Sequence, residues 1–210
     1  MRVVPNLYPA FAGHEVVVHT PDHLRSIADL DAAAIGLVAE AWRSRAGTAR
    51  ATGYPCVLAL VNEGRAAGSS LPHTHSQLVW LREPPPAVAA ESGMASVLHG
   101  RIVVERGGVV LLCPEISRSP YEMRVAPAVP ETAAYESGLL APALALAAEA
   151  VRRLRALLPG CPLNLWLHDG PWWHIHLVPR LTVAAGIELG AGIDINPLPA
   201  CEAAARLRDA

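Results

Sequence analysis

Residues 62–77 read Asn-Glu-Gly-Arg-Ala-Ala-Gly-Ser-Ser-Leu-Pro-His-Thr-His-Ser-Gln, and an apolar run, Leu-Val-Trp-Leu, follows at residues 78–81. The Gly- and Ser-rich part predicts a loop whose backbone N–H groups can approach an anion closely. On an extended strand, residues i, i+2 and i+4 share one face, so we expect His73, His75 and Gln77 side by side next to that loop. Imidazoles and an amide beside an anion-binding loop are the groups that nucleophilic attack on phosphorus requires.

Within this segment, His75 is the predicted nucleophile. A neutral imidazole attacks phosphorus and also leaves it readily, so a phosphoramidate intermediate can divide one transfer into two easier steps. Gln77, Ser70 and backbone N–H groups around Gly68 are predicted to donate to phosphoryl oxygens. Asn62 enters the same pocket if the two flanking strands pair. The alternative is a strand whose histidines merely lie near the surface.

The bulk composition limits the class of protein. A chain of 210 residues can bury a core as one domain or as two small fused units. It contains no run of eighteen apolar residues and no secretory signal at its start, so we expect neither a membrane span nor secretion. A formal charge of −2 gives no general attraction to nucleic acid or anionic lipid. All seventeen cationic residues are Arg, which excludes a Lys nucleophile.

The four cysteines also bear on the compartment. They are far apart in sequence, and no two of them form a Cys-x-x-Cys pair: Cys56, Cys113, Cys161 and Cys201. We interpret them as reduced thiols in a cytoplasmic protein, with disulfides or metal ligation as the alternatives.

Two halves of the chain repeat the same order of elements. Each reads as strand, Pro-containing turn, Glu-led strand, helix, strand, loop and His-x-His strand. We therefore predict a first repeat at 1–83, a linker at 84–100 that contains three successive prolines, and a second repeat at 101–210. Helical periodicity predicts helices at 29–52 and 131–158. The expected fold is α+β, with a mostly antiparallel sheet and the helices packed on one face.

A family resemblance rests on short motifs that run in collinear order along nearly the whole chain. The strongest is Asn62-x-Gly64 followed by Gly68-x-Ser70-x-Pro72-His73-x-His75-x-Gln77. Others are Pro5-Asn6-Leu7-Tyr8-Pro9-Ala10, His14-Glu15-Val16, Thr20-Pro21-Asp22-His23, and the segments 172–180 and 185–190. Together they resemble the galactose-1-phosphate uridylyltransferases, a branch of the histidine-triad superfamily built from two fused triad-like repeats.

The resemblance implies a role for each matching residue. It makes His75 the histidine that becomes uridylylated and Gln77 the residue that orients the phosphoryl group. It assigns phosphate contacts to Asn62 and to the loop residues Gly68, Ser69 and Ser70. Asn6 matches a residue near the nucleoside. Glu188 matches a sugar-binding Glu that reaches into the partner's site, which implies a homodimer.

Two metal sites follow from the resemblance alone. In zinc-bearing members, a Cys-x-x-Cys pair joins two histidines that match His23 and His73. That pair precedes Asn6 in the family, and only five residues precede Asn6 here, so the first site is incomplete. Either this metal is lost or the given start lacks a segment. The second site, for zinc or iron, is matched by one Glu and three His: Glu91, His168, His174 and His176.

The chain also departs from the family pattern. Thr74 replaces a Pro between the two histidines, and Ser76 precedes Gln77. A His-x-His-Ser-Gln sequence resembles relatives that are nucleotide-sugar phosphorylases, which use inorganic phosphate as acceptor. The acidic residue that often follows the nucleoside-pocket Asn is Leu7 here. His14, His19 and His99 have no companions at motif spacing, and we assign them to the surface or to strand ends.

We expect an enzyme that exchanges UMP between UDP-glucose and galactose 1-phosphate by a ping-pong route through nucleotidyl-His75. One alternative is a phosphorylase or hydrolase of nucleoside-diphosphate sugars or dinucleoside polyphosphates. Another is a nucleotide-binding module without activity, or half of a site that a second chain completes, because upstream Arg residues that grip the sugar phosphate in the family are missing here. We expect no nucleic-acid or membrane partner.

Overall fold

The computed structural model describes residues 1–91 and 97–210, with only the backbone of Glu91. Its nine strands are β1 Arg2–Pro5, β2 Gly13–Val18, β3 Cys56–Glu63, β4 His75–Leu81, β5 Gly100–Arg106, β6 Val109–Pro114, β7 Met123–Pro127, β8 Leu163–His168 and β9 His174–Pro179. The α-helices are α1 Ala32–Ala51, α2 Pro86–Glu91, α3 Leu140–Leu157, α4 Gly186–Ala191 and α5 Ala200–Asp209. Short 3-10 turns occupy Ile27–Asp29 and Arg65–Ala67.

All nine strands join one sheet in the order β1-β2-β4-β3-β8-β9-β7-β6-β5. Every neighbouring pair is antiparallel. Strands from the first half of the chain lie on one side and strands from the second half on the other. The halves meet where β3 pairs with β8, and Asn62 stands opposite Asn164 at that junction. The predicted α+β fold with a mostly antiparallel sheet is confirmed.

The helices cover one face of this sheet. Alternate residues of β3, namely Val57, Ala59 and Val61, point into a core that they share with buried residues of α1, α3 and α5. The intervening residues point to the opposite face. Because β3 and β4 pair Leu60 with Gln77, the side chain of Gln77 lies on the face away from the helices. The face opposite the helices therefore carries the predicted chemistry.

Both long helices are shorter than predicted. The first begins at Ala32 because the Asp31 carboxylate accepts the N–H of Ala34 at 2.7 Å, as an N-cap does. The second begins at Leu140, not at residue 131, and Pro142 lies in its first turn, where a missing N–H costs nothing. Residues 131–139 form turns instead, and the Glu131 carboxylate there accepts the indole N–H of Trp173 at 3.2 Å.

The predicted linker 84–100 includes helix α2, which begins at Pro86; residues 92–96 lie outside the described part. Proline is well suited to a first helical position because its fixed φ matches the helix. In the part of the chain that the structure describes, no helix is both long enough and apolar enough to cross a membrane.

Candidate active site

His75 begins strand β4 and pairs with Val18 of β2. Its Nδ1 lies 2.8 Å from the backbone oxygen of His73. A carbonyl can only accept, so Nδ1 carries the proton and the neutral ring keeps its lone pair on Nε2. The ring is largely enclosed, with 5% of its surface exposed. This tautomer is the one that a nucleophilic Nε2 requires.

Gln77 lies two residues further along the same face. Its Oε1 is 2.8 Å from Nε2 of His14, which belongs to the neighbouring strand β2. The sheet register explains the contact, because Val16 stands opposite Gln77 and His14 lies two residues before Val16. His14 lies at the start of β2, as the strand-end interpretation expects, but the interpretation that it has no companions is wrong. Sequence reasoning missed it because the partners are 63 residues apart.

The Gly-Ser loop connects β3 to β4 through the 3-10 turn Arg65–Ala67. Gly64 and Gly68 flank the turn with φ angles of +85° and +83°, a region that favours glycine. The Ser69 hydroxyl donates to the carbonyl of Leu71 at 3.0 Å. Ser70 is exposed and makes no such internal bond among the described residues, so of the two predicted serines its hydroxyl is the better placed to reach a ligand.

Asn62 is fixed by a residue that sequence reasoning did not identify. The side-chain amide of Asn164 donates to Asn62 Oδ1 and to the carbonyl of Ala67, both at 2.8 Å. Asn164 thus ties the strand carrying Asn62 to the Gly-Ser loop. With its Oδ1 occupied, Asn62 has its NH₂ group left as a donor for a ligand.

His19 is also misplaced by the sequence interpretation. Its side chain is buried, with 1% exposed, and its Nδ1 lies 2.9 Å from the Thr74 hydroxyl. Burial, with a smaller contribution from the nearby His75 and His73, lowers the pKa of His19 to about 3. A neutral imidazole therefore lies beneath the His-x-His strand. His99, in contrast, is exposed before β5, as expected.

The two histidines of the first predicted metal site, His23 and His73, lie near each other but have no further potential ligands around them among the described residues. Their ring centres lie 6.2 Å apart. Within residues 1–90 and 97–210, a group of three or more His, Cys, Asp or Glu side chains spaced for a metal occurs only at the second site. A structural zinc site uses four protein ligands, so these two histidines do not fit one on their own.

The second predicted site brings His168, His174 and His176 together. All three are buried, and their potential ligand atoms lie within 4.8 Å of one another. The predicted fourth ligand, Glu91, ends α2, and its side chain lies outside the described residues. Glu122 lies beside the group, 3.9 Å from His176 Nδ1. Burial alone would raise the pKa of the Glu122 carboxyl, but the facing His176 ring and the hydrogen bond from the N–H of Arg118 hold it below its usual value.

The hydrogen bonds of this cluster bear on whether it can hold a cation. Nδ1 of His174 lies 3.0 Å from the carbonyl of Trp172 and donates to it, whereas Nδ1 of His176 lies 3.9 Å from the Glu122 carboxylate, beyond hydrogen-bond distance. The Nε2 atoms of His174 and His176 lie 2.7 Å apart, and with the proton of a neutral His174 on Nδ1, its Nε2 can accept a hydrogen bond from Nε2–H of His176. A metal ion bound by both Nε2 atoms would replace this hydrogen bond, and a carbonyl partner on the far nitrogen, as on His174, is usual around metal-bound histidines. The Nε2 of His168 accepts the indole N–H of Trp166 at 2.9 Å, a bond that ligation through this atom would replace.

The remaining predicted residues lie at the two ends of the chain. Asn6 follows β1, and its Nδ2 lies 3.1 Å from Nε2 of His14, next to Gln77. Glu188 lies in α4, where its carboxylate accepts the N–H of Ala185 at 2.9 Å. No described contact joins Glu188 to His75 within this chain. Within one chain, then, Asn6, His14 and Gln77 form one group and Glu188 stands apart from it.

A cavity of about 880 Å³ lies beside the Gly-Ser loop. Ser69 and Ser70 contribute to its wall together with Arg25, Arg65 and Arg155, and neither His75 nor Gln77 lines it. Its deeper wall includes Glu63, whose carboxylate accepts from Arg155 and from the N–H of Ile27, both at 2.7 Å. This cavity therefore borders the core side of the loop, away from the predicted nucleophile.

Comparison with known proteins finds a match over the segment that carries the candidate site. Residues 10–85 match the family model of the galactose-1-phosphate uridyl transferase N-terminal domain. These residues include His14, the Gly-Ser loop, His75 and Gln77. Over these residues the chain is similar to the galactose-1-phosphate uridylyltransferases.

The chain is also similar to the ADP-glucose phosphorylase of Arabidopsis thaliana, 24% identical over 94% of this chain and 71% of that protein. A crystal structure of an Arabidopsis thaliana ADP-glucose phosphorylase with bound ADP-glucose superposes with a TM-score of 0.89 at 23% identity, covering 100% of this chain and 82% of that one. A solved uridylyltransferase gives a TM-score of 0.86 at 24% identity, covering 99% of this chain and 83% of that one. The fold is therefore that of both kinds of enzyme.

Proposed function

We propose that this protein transfers a nucleotidyl group from a nucleoside-diphosphate sugar to inorganic phosphate through a covalent intermediate on His75. The observation that carries the proposal is the His75 ring, whose Nδ1 is tied to the His73 carbonyl at 2.8 Å and whose Nε2 keeps its lone pair. Gln77 follows on the same face, and the Ser70 hydroxyl belongs to the preceding loop.

The reaction balances in two steps. Nε2 of His75 attacks the α-phosphorus, an N–P bond forms, and the bond from that phosphorus to the bridging oxygen breaks, so that the sugar 1-phosphate leaves. An oxygen of inorganic phosphate then attacks the same phosphorus and the N–P bond breaks, which releases a nucleoside diphosphate and the neutral imidazole. The NH₂ group of Gln77, that of Asn62 and the Ser70 hydroxyl are placed to donate to the phosphoryl oxygens as negative charge develops.

Two observations support phosphate as the acceptor. One is the similarity to an ADP-glucose phosphorylase, and the other is the His-Thr-His-Ser-Gln sequence of residues 73–77. The second candidate is exchange of UMP between UDP-glucose and galactose 1-phosphate, supported by the match to the uridyl transferase family. Both share the first step and differ in the acceptor. Hydrolysis is a third outcome, in which water takes the place of phosphate.

The metal and the dimer remain proposals. His174 and His176, with His168 after exchange of its hydrogen bond, would hold zinc or iron and cross-link strands β8 and β9. A homodimer would let Glu188 serve a partner's site, and this is supported by the exposed apolar side chains of Ile187 and Leu189 on the same helix. Neither the metal nor the dimer is needed to write the transfer chemistry.

The test is to incubate the protein with ADP-glucose or UDP-glucose and measure its intact mass. We expect an acid-labile gain of one AMP or UMP, which is lost in His75→Ala and retained in His99→Ala. Adding phosphate or galactose 1-phosphate to the isolated adduct then identifies the acceptor by which one discharges it. Nucleotide binding by calorimetry without an adduct from any nucleoside-diphosphate sugar would contradict the proposal and favour a binding module.

A further inference from the structure

His14 lies between the loop after β1 and the amide of Gln77. The backbone N–H of Ala10 donates to His14 Nδ1 at 3.1 Å. Since that nitrogen accepts, the proton of the neutral ring must be on Nε2. Nε2 then donates to Gln77 Oε1 at 2.8 Å. A backbone donor therefore fixes the tautomer of His14, and this tautomer fixes which end of the Gln77 amide faces it.

The orientation of the Gln77 amide has a chemical consequence. With Oε1 held by His14, the NH₂ group is turned away from His14 and has no acceptor among the described residues. An amide in the opposite orientation would present its carbonyl oxygen to the phosphoryl group and repel the developing charge. A donor that is oriented before the reaction needs no reorganisation when charge appears.

The proton on His14 Nε2 also determines what the Asn6 amide can bind. Its Oδ1 accepts the N–H of Tyr8 at 2.9 Å, so its NH₂ group faces His14 Nε2 at 3.1 Å. That nitrogen already carries a proton and cannot accept, which leaves the NH₂ group of Asn6 for a ligand. Two amide donors, those of Asn6 and Gln77, thus flank one imidazole.

We propose that His14 is a positioning residue for the transfer reaction: it holds the Gln77 amide with its NH₂ group toward the phosphoryl group and couples that amide to the loop of residues 6–10. The inference rests on the proposed function for its catalytic meaning, whereas the hydrogen bonds themselves do not depend on it. His14 touches neither the reacting atoms nor His75 in any described contact, and it acts through Gln77.

A double-mutant cycle tests the proposal, with the single-turnover rate of adduct formation as readout. We expect Gln77→Ala to slow this rate by about 100-fold, the typical cost of one donor to a developing oxyanion. His14→Ala should slow it by about 10-fold in the wild-type background and have no further effect when Gln77 is already Ala. Equal fold losses in both backgrounds would overturn the proposal. His99→Ala is the matched control and should react at the wild-type rate.

Two conservative variants of His14 separate its contact with Ala10 from its contact with Gln77. The amide of His14→Gln reaches the position of Nε2 and can still donate to Gln77, so we expect it to recover much of the rate. The shorter His14→Asn reaches only the position of Nδ1, so it can bind Ala10 but not Gln77 and should remain slow. Recovery by His14→Asn and not by His14→Gln would contradict a role through Gln77.

Nitrogen NMR of the imidazole and side-chain amide groups gives a readout that needs no turnover. We expect His14 to be protonated on Nε2 and not on Nδ1, and the Gln77 NH₂ resonances to shift in His14→Ala but not in His99→Ala. Protonation on Nδ1 would overturn the proposal even in an active enzyme. If the wild-type protein forms no adduct but these signals are as expected, the proposed function fails and the positioning of Gln77 stands.

Discussion

The indole N–H of Trp42 donates to the Ser76 hydroxyl at 2.8 Å, and both side chains are fully buried. Ser76 lies between His75 and Gln77 in sequence, so its side chain points to the opposite face of β4. The bond therefore joins α1 to the residue directly behind the candidate site, and it explains how the strand presents His75 and Gln77 away from the helices.

Ser76→Ala should destabilise the fold. The substitution leaves the buried Trp42 donor without a partner, which costs about 1–3 kcal/mol. Urea denaturation measures the change in the free energy of unfolding. Ser70→Ala, at an exposed position of the same segment, should change that free energy by less than about 0.5 kcal/mol. Equal effects of the two substitutions would show that the Trp42 bond contributes nothing measurable.

Stability should fall in mild acid because of His19. Burial holds the pKa of His19 at about 3 in the folded state, against 6.5 for an ordinary histidine. The unfolded chain therefore binds a proton that the folded chain does not, so this contribution is complete well above pH 6.5 and is lost as the pH falls from 6.5 toward 3. Between about pH 7 and pH 5 the free energy of unfolding should drop by about 2 kcal/mol from this residue.

The comparison that isolates His19 is His19→Asn, which keeps a polar atom near the position of Nδ1 for Thr74. Urea midpoints of both proteins at several pH values give the two slopes. We expect the variant to be less stable near neutral pH but to lose less stability on acidification. Parallel slopes would mean that His19 does not remain neutral in the folded protein.

The sequence predicted the features that depend on local pattern. The repeated order of elements, with turns of hairpin length, was sufficient to predict the antiparallel sheet, and the placement of His75 and Gln77 on one face follows from strand geometry alone. Helix ends were less accurate. The apolar periodicity of residues 131–139 continues smoothly into α3, but Glu131 bonds to Trp173, more than forty residues away, and the segment forms turns.

The residues that sequence reasoning missed are all set by pairing between distant strands. His14 reaches Gln77 because β2 and β4 pair in a particular register, and Asn164 reaches Asn62 because β3 and β8 meet at the centre of the sheet. His19 looks like a strand-end residue, yet it is buried under Thr74. The His14-Glu15-Val16 motif, one of those on which the family resemblance rests, was a signal for His14, but the role of this residue depends on the strand register.

Metal binding should stabilise the fold through the second site. In chelator-treated protein, Nε2 of His174 and Nε2 of His176 lie 2.7 Å apart in a hydrogen bond that a bound cation would replace. Adding Zn²⁺ at 100 times its dissociation constant should raise the free energy of unfolding by about 2.7 kcal/mol. For a chain of this length that raises Tm by about 5–10 °C. Thermal denaturation with and without Zn²⁺ measures it.

His176→Ala should abolish this rise in Tm, whereas His23→Ala should leave it intact, because His23 and His73 make an incomplete site. Fe²⁺ under anaerobic conditions is the second metal to compare. If Zn²⁺ raises Tm equally in wild type and His176→Ala, the bound metal lies elsewhere. If neither metal raises the wild-type Tm, the three histidines are a hydrogen-bonded cluster only.

The two glycines that flank the 3-10 turn should differ in their tolerance of a side chain. At Gly64, φ +85° with ψ 152° is a conformation nearly restricted to glycine, and an added Cβ would lie 3.0 Å from Cβ of Pro162. At Gly68, φ +83° with ψ 12° is left-handed helical, and no atom lies within 4 Å of an added Cβ. Gly64→Ala should therefore cost about 3 kcal/mol and Gly68→Ala about 1 kcal/mol of folding free energy. Urea denaturation of both variants measures the two losses of folding free energy. The positions differ only in the crowding at Pro162 and in the more restricted dihedral pair of Gly64. A larger loss for Gly68→Ala would therefore show that the loop backbone differs from the one described.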